Sequence, residues 1–75
     1  MPLPELSPVR LTTNRYLSKG VGRGTIGFIL DVYEDGYEVE FSHPDGTTIA
    51  WFAVKSEDIE PAPEAMYRSS ARTSV

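Results

Sequence analysis

The chain has 75 residues, no cysteine, one histidine and a formal charge of −4 at pH 7. That length holds one domain, and so short a domain buries only about 60% of the surface its unfolded chain exposes. Disulfides, thiolate metal sites and cysteine nucleophiles are excluded, and one histidine builds no zinc site without carboxylates, so no metal or cofactor is expected and an apolar core must carry the fold.

The charge is unevenly spread. Residues 1–62 carry Arg10, Arg15, Lys19, Arg23 and Lys55 against ten acidic side chains, a net of −5. The last 13 residues contribute Glu64, Arg68 and Arg72, a net of +1. An acidic body is repelled by phosphate backbones, which supply most of the affinity of nucleic-acid binding. It suits a basic partner. The N-terminus lacks the basic and apolar regions of a signal peptide, and no run approaches the roughly 18 apolar residues of a membrane span. With no cysteine, the composition fits a reducing compartment, and a cytoplasmic protein is expected.

Residues 1–7 read as a loose lead-in, because Pro2, Pro4 and Pro8 deny backbone donors. Val9, Leu11 and Thr13 alternate with Arg10 and Thr12, which predicts a first strand with one buried face. Residues 14–24 form a loop, with Gly20, Gly22 and Gly24 at every second position. Tyr16 and Leu17, its first sizeable apolar groups, are expected to fold over one end of the core. Residues 25–33 are the longest β-favouring run, and Gly27 within it suggests a bulge or a bend. Glu34, Asp35 and Gly36 then turn the chain, with Asp-Gly the favoured pair of a tight hairpin.

Residues 37–41 alternate strictly. Tyr37, Val39 and Phe41 share one face, and Glu38 and Glu40 the other. His43, Pro44, Asp45 and Gly46 make a second hairpin turn. Residues 47–54 form a fourth strand. Residues 55–59 form one helical turn capped by Ser56 with Asp58 near the cap, and residues 59–61 a short last strand. Pro61 and Pro63 end regular pairing, so residues 63–75 are expected to be a flexible tail. The domain proper is residues 8–62. This order of strands, long loop, tight turns and single helical turn predicts an all-β, five-stranded SH3-like barrel, a closure that would remove free sheet edges.

Residues 9–61 resemble a family of small bacterial proteins called domain of unknown function 4926. The likeness lies in Val9-Arg-Leu, in Gly24-Thr-Ile-Gly27 with Ile29, and in Val32-Tyr-Glu-Asp-Gly-Tyr-Glu-Val-Glu-Phe41. It continues through Asp45-Gly-Thr-Thr-Ile-Ala50 and Asp58-Ile-Glu-Pro61. The resemblance implies an SH3-like fold and a bacterial protein. Because members often stand beside toxin-like genes, it also implies an immunity or antitoxin role. It carries over no catalytic or binding residue. Two departures are the chain beyond Pro61 and the bulky Trp51-Phe52 in place of an aliphatic pair.

The candidate chemistry is thin. His43 lies in a turn, where Asp45 ordinarily caps its own backbone. Glu38 and Glu40 could pair as acid and base only with a pocket and one raised pKa, and a solvated face explains them more simply. The three alternate glycines precede a strand, whereas phosphate loops lead into a helix. Gly24, Gly27 and Ile29 are spaced as in ribosome- and transcription-associated barrels, but Asp31, Glu34, Asp35, Glu38 and Glu40 surround them, which argues against RNA. Trp51 and Phe52 are adjacent and must point to opposite faces, one to the core and one outward.

These features predict a non-catalytic protein-binding module, of immunity, antitoxin or accessory type, with Glu38, Glu40, Trp51 and Phe52 as candidate partner-binding residues. The expected partner is a protein, a basic toxin or an enzyme, with no membrane involved and self-association left open. A nucleic-acid-binding module is the alternative.

Overall fold

The computed structural model describes residues 3, 4 and 6–65. Five strands follow one another as β1 (Pro8–Leu11), β2 (Ile26–Val32), β3 (Gly36–Ser42), β4 (Thr48–Lys55) and β5 (Ile59–Pro61). Two 3-10 turns, Leu17–Lys19 and Ser56–Asp58, interrupt them. The strands form one antiparallel sheet in the order β4-β3-β2-β1-β5. The fold is all-β, as the sequence predicts. The sheet is not closed, however: among the described residues no pairing joins β4 to β5.

Alternation selects the buried face. Val9 and Leu11 of β1, Ile29 of β2, Tyr37, Val39 and Phe41 of β3, Val54 of β4 and Ile59 of β5 form one apolar cluster, completed by Val21 from the loop. Burying a side chain of this size stabilises a fold by about 1.5–3 kcal/mol. Phe52 packs on the same cluster, its ring 5.3 Å from those of Tyr16 and Phe41. Tyr16 therefore does fold over the core. Leu17 does not, and stays exposed.

Two glycines do other work than their sequence context suggests. The irregularity in β2 is not at Gly27 but between Ile29 and Asp31, where the register with β3 slips by one. Gly27 instead permits close packing across the sheet: a Cβ there would stand 2.6 Å from Val39 Cγ1 and 2.8 Å from the Glu40 carbonyl oxygen. Gly36 begins β3, and a Cβ on it would lie 2.2 Å from the Val54 carbonyl oxygen. The first hairpin closes with the Tyr33 N–H donating to Gly36 O at 2.8 Å, and Gly36 is not among the residues with positive φ. The second hairpin follows expectation: Gly46 has φ +94°, its N–H donates to His43 O at 2.9 Å, and the Asp45 carboxylate accepts from the Thr47 N–H and hydroxyl.

The helical turn differs from the expected capped form. Ser56 is its first residue rather than its cap, and no side-chain hydrogen bond caps it. Asp58 lies 3% exposed at its end. Its carboxylate accepts the Tyr16 hydroxyl at 2.6 Å and pairs with Arg15 Nη1 at 3.4 Å. The Thr12 N–H donates to its carbonyl at 2.9 Å. A buried carboxylate is costly unless so satisfied. Here the satisfaction comes from the long loop, which Asp58 thereby fastens to the sheet.

The described part of the lead-in is also tied down. The Leu6 N–H donates to Ile29 O at 2.6 Å, the Ile29 N–H to Ser7 O at 3.1 Å, and the Leu3 N–H to the Tyr37 hydroxyl at 3.1 Å. At the other end Ala62 is buried and its N–H donates to Pro8 O at 2.9 Å. Of the tail expected over residues 63–75, positions 66–75 lie outside the described residues.

Two stability measurements check this account. Gly27→Ala should cost about 1–3 kcal/mol in urea denaturation, the usual penalty of overpacking a filled site. Tyr16→Phe should cost about 1–3 kcal/mol, because a buried acceptor loses its donor. The Tyr16 phenol is raised above its ordinary 10.0, first by burial and then by its bond to Asp58. The folded state thus favours the neutral phenol, and its contribution is complete below pH 10 and lost as pH rises through the folded value. Denaturation midpoints should fall above pH 10, and less steeply in Tyr16→Phe. Equal slopes in the two proteins would sink the linkage.

Candidate functional site

The face of the sheet away from the core carries the other half of each alternating strand. On β3 it presents Glu38 and Glu40, directly opposite Ala53 and Trp51 of β4. Trp51 is 65% exposed. Glu40 and Trp51 are thus cross-strand neighbours on an open surface, and opposite residues in an antiparallel pair stand with their Cβ atoms about 4.5–5.5 Å apart. Phe52 points the other way, into the core under Tyr16, with Lys19 Nζ 5.2 Å from its ring centroid. The structure therefore gathers three of the four candidate residues on one face and assigns the fourth to the interior.

It adds residues that the sequence pattern did not single out for this face. If β2 alternated strictly, Asp31 and Tyr33 would point inward with Ile29. The slip after Ile29 reverses them. Leu30 and Asp31 are both exposed, Asp31 faces Glu38, and Val32 returns to the core side opposite Tyr37. Tyr33 is exposed and donates its hydroxyl to Glu38 Oε1 at 3.0 Å. That bond, more than its slight desolvation, raises the Tyr33 phenol above its ordinary value. The cue in the sequence was Asp31 itself, a carboxylate that regular alternation would have buried.

The result is an acidic strip, Asp31, Glu38 and Glu40, bordered by the exposed rings of Tyr33 and Trp51. Glu40 Oε2 accepts the Thr48 hydroxyl at 2.5 Å, and Asp31 Oδ1 accepts the Val32 N–H at 2.8 Å. Neither Glu38 nor Glu40 makes an ion pair among the described residues. Like charges directly opposite on neighbouring strands are destabilising, so facing Asp31 with Glu38 does nothing for the fold. Chemically the strip can attract and orient cations, and the indole of Trp51 can stack on them.

His43 sits exposed in the second hairpin, beside an Asp45 carboxylate engaged by Thr47. Among the described residues no group of three or more His, Cys, Asp or Glu side chains could hold a metal ion, and no helix is long and apolar enough to cross a membrane.

Comparison with known proteins matches the chain to a family model. The family model described as Domain of unknown function (DUF4926) covers residues 5–61. No curated protein and no solved structure matches the chain.

Proposed function

We propose, from the premise that this chain belongs to the DUF4926 family, that it is a non-catalytic module binding a partner protein through the outer face of β2, β3 and β4. The observation that carries the reading is the exposed Trp51 directly opposite Glu40 on a face whose carboxylates make no ion pair among the described residues. Acidic charge steers a basic partner and raises its association rate, and an exposed indole supplies the desolvated anchor typical of binding hot spots. A small basic protein, of the kind an immunity or antitoxin protein neutralises, fits this surface.

The alternative is nucleic-acid binding. Its best support is the loop, which carries Arg15, Lys19 and Arg23. Each is engaged inside the fold: Arg15 with Asp58, Lys19 over Phe52, and Arg23 Nη1 donating to Thr12 O at 2.5 Å. Arg10 pairs with Glu60 and Glu64. Strong binding of nucleic acid rests on cations free to displace counterions, and four of the five cations in the described residues are already held. The protein reading is the better supported.

Affinity capture from the native host, followed by identification of the bound protein, supplies the partner for the decisive measurement. Glu38→Lys with Glu40→Lys should slow association, chiefly at low salt, with the fold retained. Trp51→Ala should weaken binding by about 2 kcal/mol or more, as for an interface anchor, while leaving stability nearly unchanged. Phe52→Ala should instead cost about 3–5 kcal/mol of stability, as for a packed aromatic. Unaltered binding in both outer-face variants would move the interface elsewhere, and the loop of residues 14–24 would be the next surface to examine.

A further inference from the structure

The sheet has two edges, and they are not alike. β5 is three residues long and ends in Pro61, two of the devices by which proteins keep edges from pairing. β4 is eight residues long, with no proline and no charge before Lys55. Among the described residues no backbone hydrogen bond joins β4 to any segment but β3.

The register tells which groups that edge offers. The Ser56 N–H donates to Asp35 O at 3.3 Å, in step with the pairing of Gly36 with Lys55 and Tyr37 with Val54. Antiparallel pairs alternate between bonded and non-bonded. Lys55 accordingly turns its N–H away from β3, toward the Tyr16 hydroxyl at 3.5 Å. By the same period of two, the N–H and C=O of Ala53 and Trp51 also point off the sheet. Tyr16 occupies the place of a further strand beside Lys55. Beside Ala53 and Trp51 no backbone of the described residues does.

Those two residues also belong to the acidic face. A residue added opposite Ala53 would lie two strand spacings, about 10 Å, from Glu38, with only a methyl group between them. An arginine or lysine there can lay its apolar stem over Ala53 and carry its charge to Glu38. One opposite Trp51 can stack on the indole beside Glu40. We infer that the β4 edge at Trp51 and Ala53 accepts an extended segment of the partner protein as a sixth strand, with lysine or arginine at alternate positions toward Glu38 and Glu40. Main-chain bonds supply affinity in such strand addition and alternate side chains supply specificity. A second copy of this chain is a poorer occupant. Both copies carry −4, and the one cation of its own β4, Lys55, stands at the end of the strand, where Tyr16 already meets the backbone.

The inference rests on the acidic face being the binding surface, and the experiment separates the two. Isotope-labelled protein is titrated with a synthetic nonapeptide of alternating arginine and valine, and with the same peptide N-methylated at every arginine. The second peptide keeps the charge and loses the N–H groups that would pair with β4. Strand addition predicts amide exchange slowed about tenfold at Trp51 and Ala53, and binding about tenfold weaker for the methylated peptide, about 1.4 kcal/mol. If both peptides bind alike and shift Glu38, Glu40 and Trp51 without protecting those amides, strand addition is overturned and the acidic face stands. If neither peptide shifts them, both readings fall. If Trp51 and Ala53 amides are protected before any peptide is added and sedimentation shows a dimer, the edge belongs to a second copy and the basic segment is the wrong occupant.

Discussion

A lone antiparallel sheet with one apolar face has to find something to cover it, and five short strands leave little chain for the purpose. In this protein Tyr16 and Val21 of the loop of residues 14–24 pack on that face together with Leu3, and the loop is held by Asp58. The carboxylate is buried, so it must be satisfied from nearby, and among the described residues the Tyr16 hydroxyl and the Arg15 guanidinium reach it. Accepting from Tyr16 draws that ring over Phe52, and Phe52 in turn rests on Phe41. The loop, β4 and the turn before β5 are therefore joined through one hydroxyl. Lys55, Gly20 and Lys19 all take their positions near this junction, through the Tyr16 oxygen, Ile49 and the Phe52 ring.

What the loop does for the inner face frees the outer one. With the core completed from one side, the residues on the other side answer only to solvent or to a partner. The β2 irregularity exploits this, because one extra residue moves Asp31 from a position where its charge would be buried to one where it faces Glu38. The repulsion this creates is a cost with no return in packing. A bulge that re-aims a side chain is a recurrent device beside functional sites, and here it adds a third carboxylate to a strip that β3 alone would supply with two.

The same anchoring shapes the edge of β4. Tyr16 meets the backbone at Lys55, and among the described residues no other backbone pairs with the uncharged stretch around Trp51 on that side. The face and the edge are thus consequences of one arrangement: the loop packs on the apolar side and meets the end of the strand, and among the described residues no backbone pairs with the edge beside the acid strip.

By itself the sequence determined the strand order, the alternation and the second hairpin. These depend on local matters: a period of two, a proline and a positive-φ glycine. From them followed that Glu38 and Glu40 share a face, and that one of Trp51 and Phe52 must join them. Which one could not be read, since adjacent aromatics in an apolar strand have no polar neighbour to fix their direction. Register decided it, by placing Trp51 opposite Glu40 and Phe52 opposite Val39. Tertiary contact also decided that Gly27 and Gly36 serve close approach rather than a bend, because a neighbour's carbonyl oxygen 2–3 Å from an absent Cβ leaves no local mark. The buried bond between Tyr16 and Asp58 joins groups 42 residues apart. No local rule pairs them, and only the folded sheet brings the loop and the last turn to one end of the core.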